Sequence, residues 1–223
     1  MDALLEISCF TIESCLIAQK AGAHRIEFCN DYERGGLTPS FDDILKVRDL
    51  IHIPLHVIIR FSTDPISKAH INEMQEAITF CRENGVDGVV FGSLTKANEV
   101  DIESCEILLE KVGAMKCTFH RDIDKCNNLE GNIEKLVRLG IDDVLTSGGK
   151  PTAMAGINRL ASLQSEYGYQ IQIIPGGGVR PANIAQLIQK TGCKIYHSSA
   201  LPLNSKNADQ STIEELLQAI NNS

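Results

Sequence analysis

Short apolar or β-branched runs recur along the chain, and stretches with helical periodicity separate them. The runs cover 4–10, 24–30, 54–60, 87–93, 116–122, 142–148, 170–176 and 194–200. Their length and β-branched content predict strands. Gly22, Gly85, Gly113, Gly140, Gly168 and Gly192 follow the helical stretches, where a glycine can adopt positive φ and close a helix. Ile53-Pro54 takes that place once. Thr11 is placed to cap the first helix, Pro181 suits the first turn of the seventh, and Ser211-Thr-Ile-Glu214 has capping-box spacing before the last. Eight strands alternating with eight helices imply parallel pairing. Eight units in 223 residues, about 28 each, predict an α/β fold: a compact, single (β/α)8 TIM barrel forming one domain over 1–223. An open doubly wound sheet is the alternative. The equal counts, and the lack of a dinucleotide glycine fingerprint after the first strand, favour the barrel.

Function in a parallel barrel sits at the C-terminal ends of its strands. The polar residues in the eight runs are therefore the first candidates. They are Glu6 and Ser8; Arg25, Glu27 and Cys29; His56 and Arg60; Thr118, His120 and Asp122, with Arg121 between them; Thr146 and Ser147; and His197, Ser198 and Ser199. Period-two alternation puts Glu6 with Ser8, Glu27 with Arg25 and Cys29, and His120 with Thr118 and Asp122. The interleaved Ile7, Cys9, Ile26, Phe28, Cys117 and Phe119 should meet the helices. The polar sets should then face into the barrel. Glu6, Glu27, Arg60 and His120 converging there form either a structural ion-pair network, for example Glu27 with Arg60, or a functional site. A Glu and a His in one pocket serve as an acid/base pair or as metal ligands.

The stretch from Ile174 to Asn183 contains Pro175-Gly176-Gly177-Gly178 and opens a helix. Glycines permit close backbone approach to a ligand, and a helix N-terminus favours anions. The loops after strands seven and eight of such barrels often bind phosphate. His197-Ser198-Ser199-Ala200 could add hydroxyl and amide donors. The bland alternative is a tight turn without ligand. Thr146-Ser147-Gly148-Gly149 is a weaker candidate of the same kind.

Composition narrows the field. The chain has 21 Lys and Arg against 29 Asp and Glu, a net charge of −8, which disfavours nucleic acid as a partner. No segment has the length and apolarity of a membrane span, and the first residues lack a signal-peptide pattern. The eight cysteines include no C-x-x-C pair, so a zinc ribbon or thioredoxin motif is excluded. A reduced, cytoplasmic protein is expected, with most cysteines acting as small buried apolar groups. No lysine ends a strand, no G-x-S-x-G is present, and H-E-x-x-H is missing. Schiff-base, serine-hydrolase and zincin chemistry are therefore disfavoured.

Leu5-Glu6-Ile7, Arg25-Ile26-Glu27-Phe28-Cys29, Gly35-Gly36-Leu37-Thr38-Pro39-Ser40 and Ile58-Ile59-Arg60 together resemble the CutC copper homeostasis family. So do Thr118-Phe119-His120-Arg121, Val144-Leu145-Thr146-Ser147-Gly148, Pro175–Gly178 and His197-Ser198-Ser199-Ala200. The resemblance implies a compact TIM barrel, a cytoplasmic location and a link to copper tolerance or copper binding. Members often carry cysteine where this chain has Ser8, so only Cys29 is left as a soft metal ligand on that face. The loop Arg60-Phe61-Ser62-Thr63-Asp64 is shorter than the family's and lacks its second arginine, and the basic stretch after Ala200 is missing. These changes trim the expected positive charge. Three readings follow. One is a copper protein with Cys29 as ligand, helped by His120 or Glu27. Another is an enzyme acting on a small anionic or phosphorylated substrate. There Glu27, His120 and Glu6 provide the charge and proton chemistry, and Arg60 with Gly176–Gly178 holds the anion. The last is a scaffold without catalysis. A small-molecule or metal ligand is the expected partner, and a homo-oligomer is compatible with the fold.

Overall fold

The computed structural model describes residues 3–62 and 68–223; Thr63 and Asp64 of the loop after the third strand lie outside them. The strands are β1 (Leu4–Cys9), β2 (Arg25–Phe28), β3 (Leu55–Ile58), β4 (Gly88–Phe91), β5 (Lys116–Phe119), β6 (Asp143–Thr146), β7 (Gln172–Pro175) and β8 (Ile195–Ser198). They alternate with α1 (Ile12–Ala21), α2 (Phe41–Leu50), α3 (Lys68–Glu83), α4 (Ile102–Val112), α5 (Leu129–Leu139), α6 (Ile157–Tyr167), α7 (Pro181–Thr191) and α8 (Gln210–Asn221). All paired strands are parallel, in the order β7-β6-β5-β4-β3-β2-β1-β8. Strand β7 lies beside β8, so the sheet curls into a near-closed (β/α)8 barrel.

Each strand falls inside its predicted run but stops short of the run's end. The residues left over, among them Cys29, Arg60 and His120, sit on the rim where the loops begin. The alternation sorts the faces as expected. Ile7, Cys9, Ile26, Phe28, Cys117 and Phe119 join the large apolar core against the helices. Cys29, Ile58 and Val90 form a small second cluster, with Phe10 packed on it.

Local signals hold at most helix ends. Thr11 accepts the Ser14 amide at 3.0 Å, and Pro181 opens α7. The last helix begins earlier than its capping-box spacing predicts. Asp209 is the cap, and its carboxylate accepts from the Thr212 amide at 2.8 Å and from the Ser211 hydroxyl. Gly168 is the exception among the helix-closing glycines, with φ −61. A side chain there would collide with Gln164, so room rather than backbone freedom requires the glycine.

The interior of the barrel is unusually polar. Glu6, His56, Thr118, Asp143 and His197 project from the strands around Arg25. Arg25 and His56 belong to strand starts, not to the strand ends where their polarity suggested a functional role. They border a cavity at the opposite end of the barrel, together with His24 and Pro54. Gly88 faces His56 across the β3–β4 pair. A methyl on Gly88 would lie 2.5 Å from His56 Nε2. Gly88→Ala is therefore expected to cost about 1–3 kcal/mol through overpacking. Adding His56→Ala should recover most of it. Urea unfolding of the single and double variants checks this, and an unchanged Gly88→Ala midpoint would show that the imidazole moves aside freely.

Candidate functional site

Several of the predicted residues do converge. A cavity of about 250 Å³ at the C-terminal mouth is lined by residues that include Glu27, Cys29, Arg60, His120, Gly177 and Gly178, with His197, Ser198 and Ser199 completing one side. Glu6 lies beneath it, 1% exposed. Thr146, Ser147 and Gly176 are not on its wall. The Thr146 and Ser147 hydroxyls donate to Asp124 at 2.5 and 2.8 Å, and the Ser147 amide donates to it at 2.9 Å. Asp124 belongs to the 3-10 turn Arg121–Lys125 that follows β5. It thereby ties the loop after β6 to the loop after β5.

The charges divide into two groups. Deep in the barrel, Glu6 accepts from the Arg25 guanidinium through one oxygen and pairs with His197 Nδ1 at 2.6 Å through the other. Arg25 also donates to Asp143 at 2.9 Å. Burial pushes the Glu6 carboxyl up, but Arg25 and His197 outweigh it and hold Glu6 well below the usual carboxylate range. Burial opposes charge on His197, yet its hydrogen bond to Glu6 and the nearby Glu27 raise it above its ordinary value. Glu27 differs from Glu6. Burial raises its carboxyl, with the Glu6 charge adding to the rise. Its Oε1 accepts from the Cys29 thiol at 3.1 Å. Its Oε2 has no hydrogen-bond partner and lies 3.5 Å from His197 Nδ1. The expected Glu27–Arg60 pair does not form. Arg60 turns instead to Asp122 at 3.5 Å, across the mouth.

Cys29 is 2% exposed, and burial, with Glu27 beside it, lifts its thiol well above the ordinary 9. His120 is 6% exposed, and burial lowers its imidazole to about 4, with the Arg60 charge also opposing protonation and Asp122 favouring it. Its Nδ1 accepts the Asp122 amide at 3.3 Å, so the neutral ring carries its hydrogen on Nε2. Gly92 makes room for this ring: a methyl there would lie 2.7 Å from His120 Cε1.

The rim carries cations that strand alternation did not single out as a group. Arg121 donates to the Ser147 hydroxyl at 2.9 Å, and its guanidinium covers Gly177, where a methyl would sit 2.8 Å from Cζ. Arg180 precedes α7 and donates to Val179 O at 2.8 Å and to the Ser198 hydroxyl at 3.2 Å. Among the described residues it has no carboxylate partner. Its backbone N–H donates to the Asn183 side chain at 2.9 Å, which holds the glycine loop against the helix. Gly177 and Gly178 have φ +92 and +74. Arg60, Arg121 and Arg180 thus all border one cavity. The loop after β3 brings only Arg60 to this cavity, and other loops contribute the other two arginines. Arg121 sits on a 3-10 turn and Arg180 at a helix cap, where the two-residue strand period carries no information.

Fold and mouth define a parallel eight-stranded barrel with a cavity lined by charged residues at its C-terminal end. The chain belongs to the CutC family, whose model matches residues 3–201. A family protein CutC of Xylella fastidiosa (strain Temecula1) is 37% identical over 202 residues, covering 90% of this chain and 76% of the relative. One from Bacteroides thetaiotaomicron is 38% identical over 201 residues, covering 87% and 80%. A crystal structure of CutC from Streptococcus agalactiae, which carries a copper-homeostasis name, superposes with a TM-score of 0.84 at 28% identity, covering 88% of this chain and 98% of that one. Among the described residues no helix is long and apolar enough to cross a membrane.

Glu6, Glu27 and His197 could hold a metal ion, since one ligand atom from each lies within 4.8 Å of the others. Two carboxylates and an imidazole suit harder divalent ions better than Cu(I), which prefers thiolates. The one thiol on the mouth wall is held protonated and bonded to Glu27. Cys9 lies in the apolar core toward the helices. The donors at the mouth therefore do not fit a Cu(I) site.

The buried His120 gives a pH dependence of known sign. The unfolded chain takes up the proton near 6.5 and the folded protein only near 4. Stability is thus retained above 6.5 and falls as pH drops toward 4. Relative to His120→Gln, the protein should lose about 2 kcal/mol between pH 8 and pH 5. Urea unfolding at both pH values measures the difference, and parallel pH profiles for the two proteins would rule this shift out.

Proposed function

We propose that the barrel mouth is an enzyme active site for a small anionic, phosphorylated molecule, with Glu27 as the proton-transferring group. One juxtaposition carries the reading. Arg180, a guanidinium without a carboxylate partner among the described residues, and Glu27 Oε2, a buried carboxyl oxygen without a hydrogen bond among them, line the same cavity. The cation is a standing attraction for an anion, and the amides around Gly177 and Gly178 permit close approach. Position supports this too, because the loops after β7 and β8 are where such barrels often bind phosphate. Ser199 provides a hydroxyl beside it, while the Ser198 hydroxyl donates to Val179 O at 2.8 Å and holds Arg180 in place.

The two glutamates divide the chemistry. Glu6 is locked ionised by Arg25 and His197. Glu27 has chiefly the more distant His197 charge against its burial and is raised, which suits a group that must hold a proton and release it. Cys29 fixes the Glu27 carboxyl through Oε1 and leaves Oε2 for the substrate. His120 serves as a neutral hydrogen-bond donor through Nε2, aimed at an oxygen on which negative charge develops. Arg60 and Asp122 orient one another at its side.

A second reading has the same three buried ligand atoms binding a metal ion. The cluster favours it over a mouth Cu(I) site, and copper binding through Cys29 is the version that the donor chemistry supports least. The two readings separate by titration. Inorganic phosphate should bind the protein, and Arg180→Ala should weaken it by about tenfold, the equivalent of about 1.4 kcal/mol. Calorimetry reads the affinity, and an unchanged constant in Arg180→Ala would overturn the anion assignment. In the same preparation, Cys29→Ser should leave Cu(I) affinity, measured against a competing chelator, unchanged within about threefold, under 0.7 kcal/mol. A larger loss would reinstate Cys29 as a copper ligand.

A further inference from the structure

The mouth is two-lobed. Beside the arginine-lined cavity lies a second of about 220 Å³, and the two share Arg60, His120 and Asp122 as a common wall. The second lobe has a different chemistry. Phe61 and Leu94, backed by the buried Ile59 and Met74, give it an apolar face, Thr95 and Asn98 give it a polar edge, and Lys125, paired with Asp122 at 2.8 Å, adds a charge at its boundary. Gly92 lines it as well, and its missing side chain is what lets the His120 ring stand between the lobes. Neither lobe alone reaches the roughly 300 Å³ at which pockets for drug-sized ligands begin, and together they pass it. An inorganic anion or a short-chain phosphate would fill the first lobe and leave the second with water against apolar walls.

We infer that the ligand is a phosphate ester with a ring-bearing body, of the nucleoside monophosphate class. Its phosphate sits at Arg180, Arg121 and the Gly177–Gly178 turn. Its ring lies against Leu94 and Phe61 in the second lobe. The bond between the two ends passes His120 Nε2. This inference rests on the reading of the first lobe as an anion site. It adds the requirement for an apolar-faced ring with hydrogen-bonding edges, because the second lobe offers both kinds of surface. The shared residues make the two lobes neighbours, so a single molecule spanning both would pass His120 and the Arg60–Asp122 pair.

The test compares inorganic phosphate, ribose 5-phosphate and uridine 5′-monophosphate by calorimetry on the full chain. The expected order is uridine monophosphate tighter than ribose 5-phosphate by about tenfold or more, with inorganic phosphate weakest. Leu94→Trp fills the second lobe and should bring uridine monophosphate down to the ribose 5-phosphate level, with inorganic phosphate unaffected. Phe61→Ala, at a half-exposed position where folding is less at risk, should lower the uridine monophosphate gain in the same direction. If uridine monophosphate binds no tighter than ribose 5-phosphate, or its advantage survives both substitutions, the two-lobed inference is overturned and the anion site stands. If none of the three binds, both fall together.

Discussion

The barrel depends on the placement of Arg25. Its guanidinium lies inside the strands, bonded to Glu6 on one side and to Asp143 on the other. A charge there is expensive to desolvate, and removing one partner of such a buried pair typically costs about 3–5 kcal/mol. Two carboxylates, rather than one, offset the cost for Arg25. The compensation is incomplete, since Arg25 Nη2 and His56 Nδ1 are buried without hydrogen bonds. A TIM barrel normally fills this space with layers of branched apolar side chains. Here an ionic layer fills it, and Gly88 is small because His56 occupies the room its side chain would need.

That layer reaches the mouth through Glu6. Because Arg25 keeps Glu6 ionised, Glu6 can bind His197, and His197 then lies beside Glu27. Two carboxyl groups close in space thus receive unequal support. Glu6 has a guanidinium and a hydrogen-bonded imidazole, whereas Glu27 has a thiol on one oxygen and, on the other, no hydrogen bond but only His197 Nδ1 at 3.5 Å. Similar residues are driven to opposite protonation behaviour by their neighbours alone, the arrangement by which one pocket separates an ionised carboxylate from a proton carrier. The polarity of the barrel floor and the proton chemistry of its mouth are therefore one problem, joined at Glu6.

Most of the frame was legible because strand physics is periodic. Alternation put Ile7, Cys9, Ile26 and Phe28 toward the helices and Glu6, Glu27 and Cys29 inward, as the core shows. It could not say how far along the barrel an inward residue sits. Arg25 and His56 were grouped with strand ends for that reason, although the register places them near the floor. Nor does alternation reach the residues of turns and caps. Asp124 organises the loop after β6 from a 3-10 turn, with no spacing relation to Thr146 or Ser147. The place of Arg60 at the mouth was legible, but its partner was not. Whether it meets Glu27 or Asp122 depends on the crossing of the mouth, which no local pattern encodes.

The metal question turns on the same atoms as the proton chemistry. An ion held by Glu6, Glu27 and His197 needs the imidazole neutral at its ligating nitrogen, since metal ligands must be deprotonated. His197 is instead raised by its hydrogen bond to Glu6 and by the Glu27 charge, so its proton competes for the position an ion would take. Glu6 is further engaged by Arg25, whose positive charge repels a cation at close range. Binding there would have to release the His197 proton, a demand that grows as pH falls, and overcome the guanidinium, whose charge stays constant. An anion meets less opposition at the rim, where Asp122 and Asp124 are paired with Arg60 and Arg121 and, among the described residues, Arg180 has no carboxylate of its own. The charge pattern disfavours a cation beside Arg25 and favours an anion beside Arg180, and that polarity, anion at the rim and proton carrier at the base, is what the proposed reading requires.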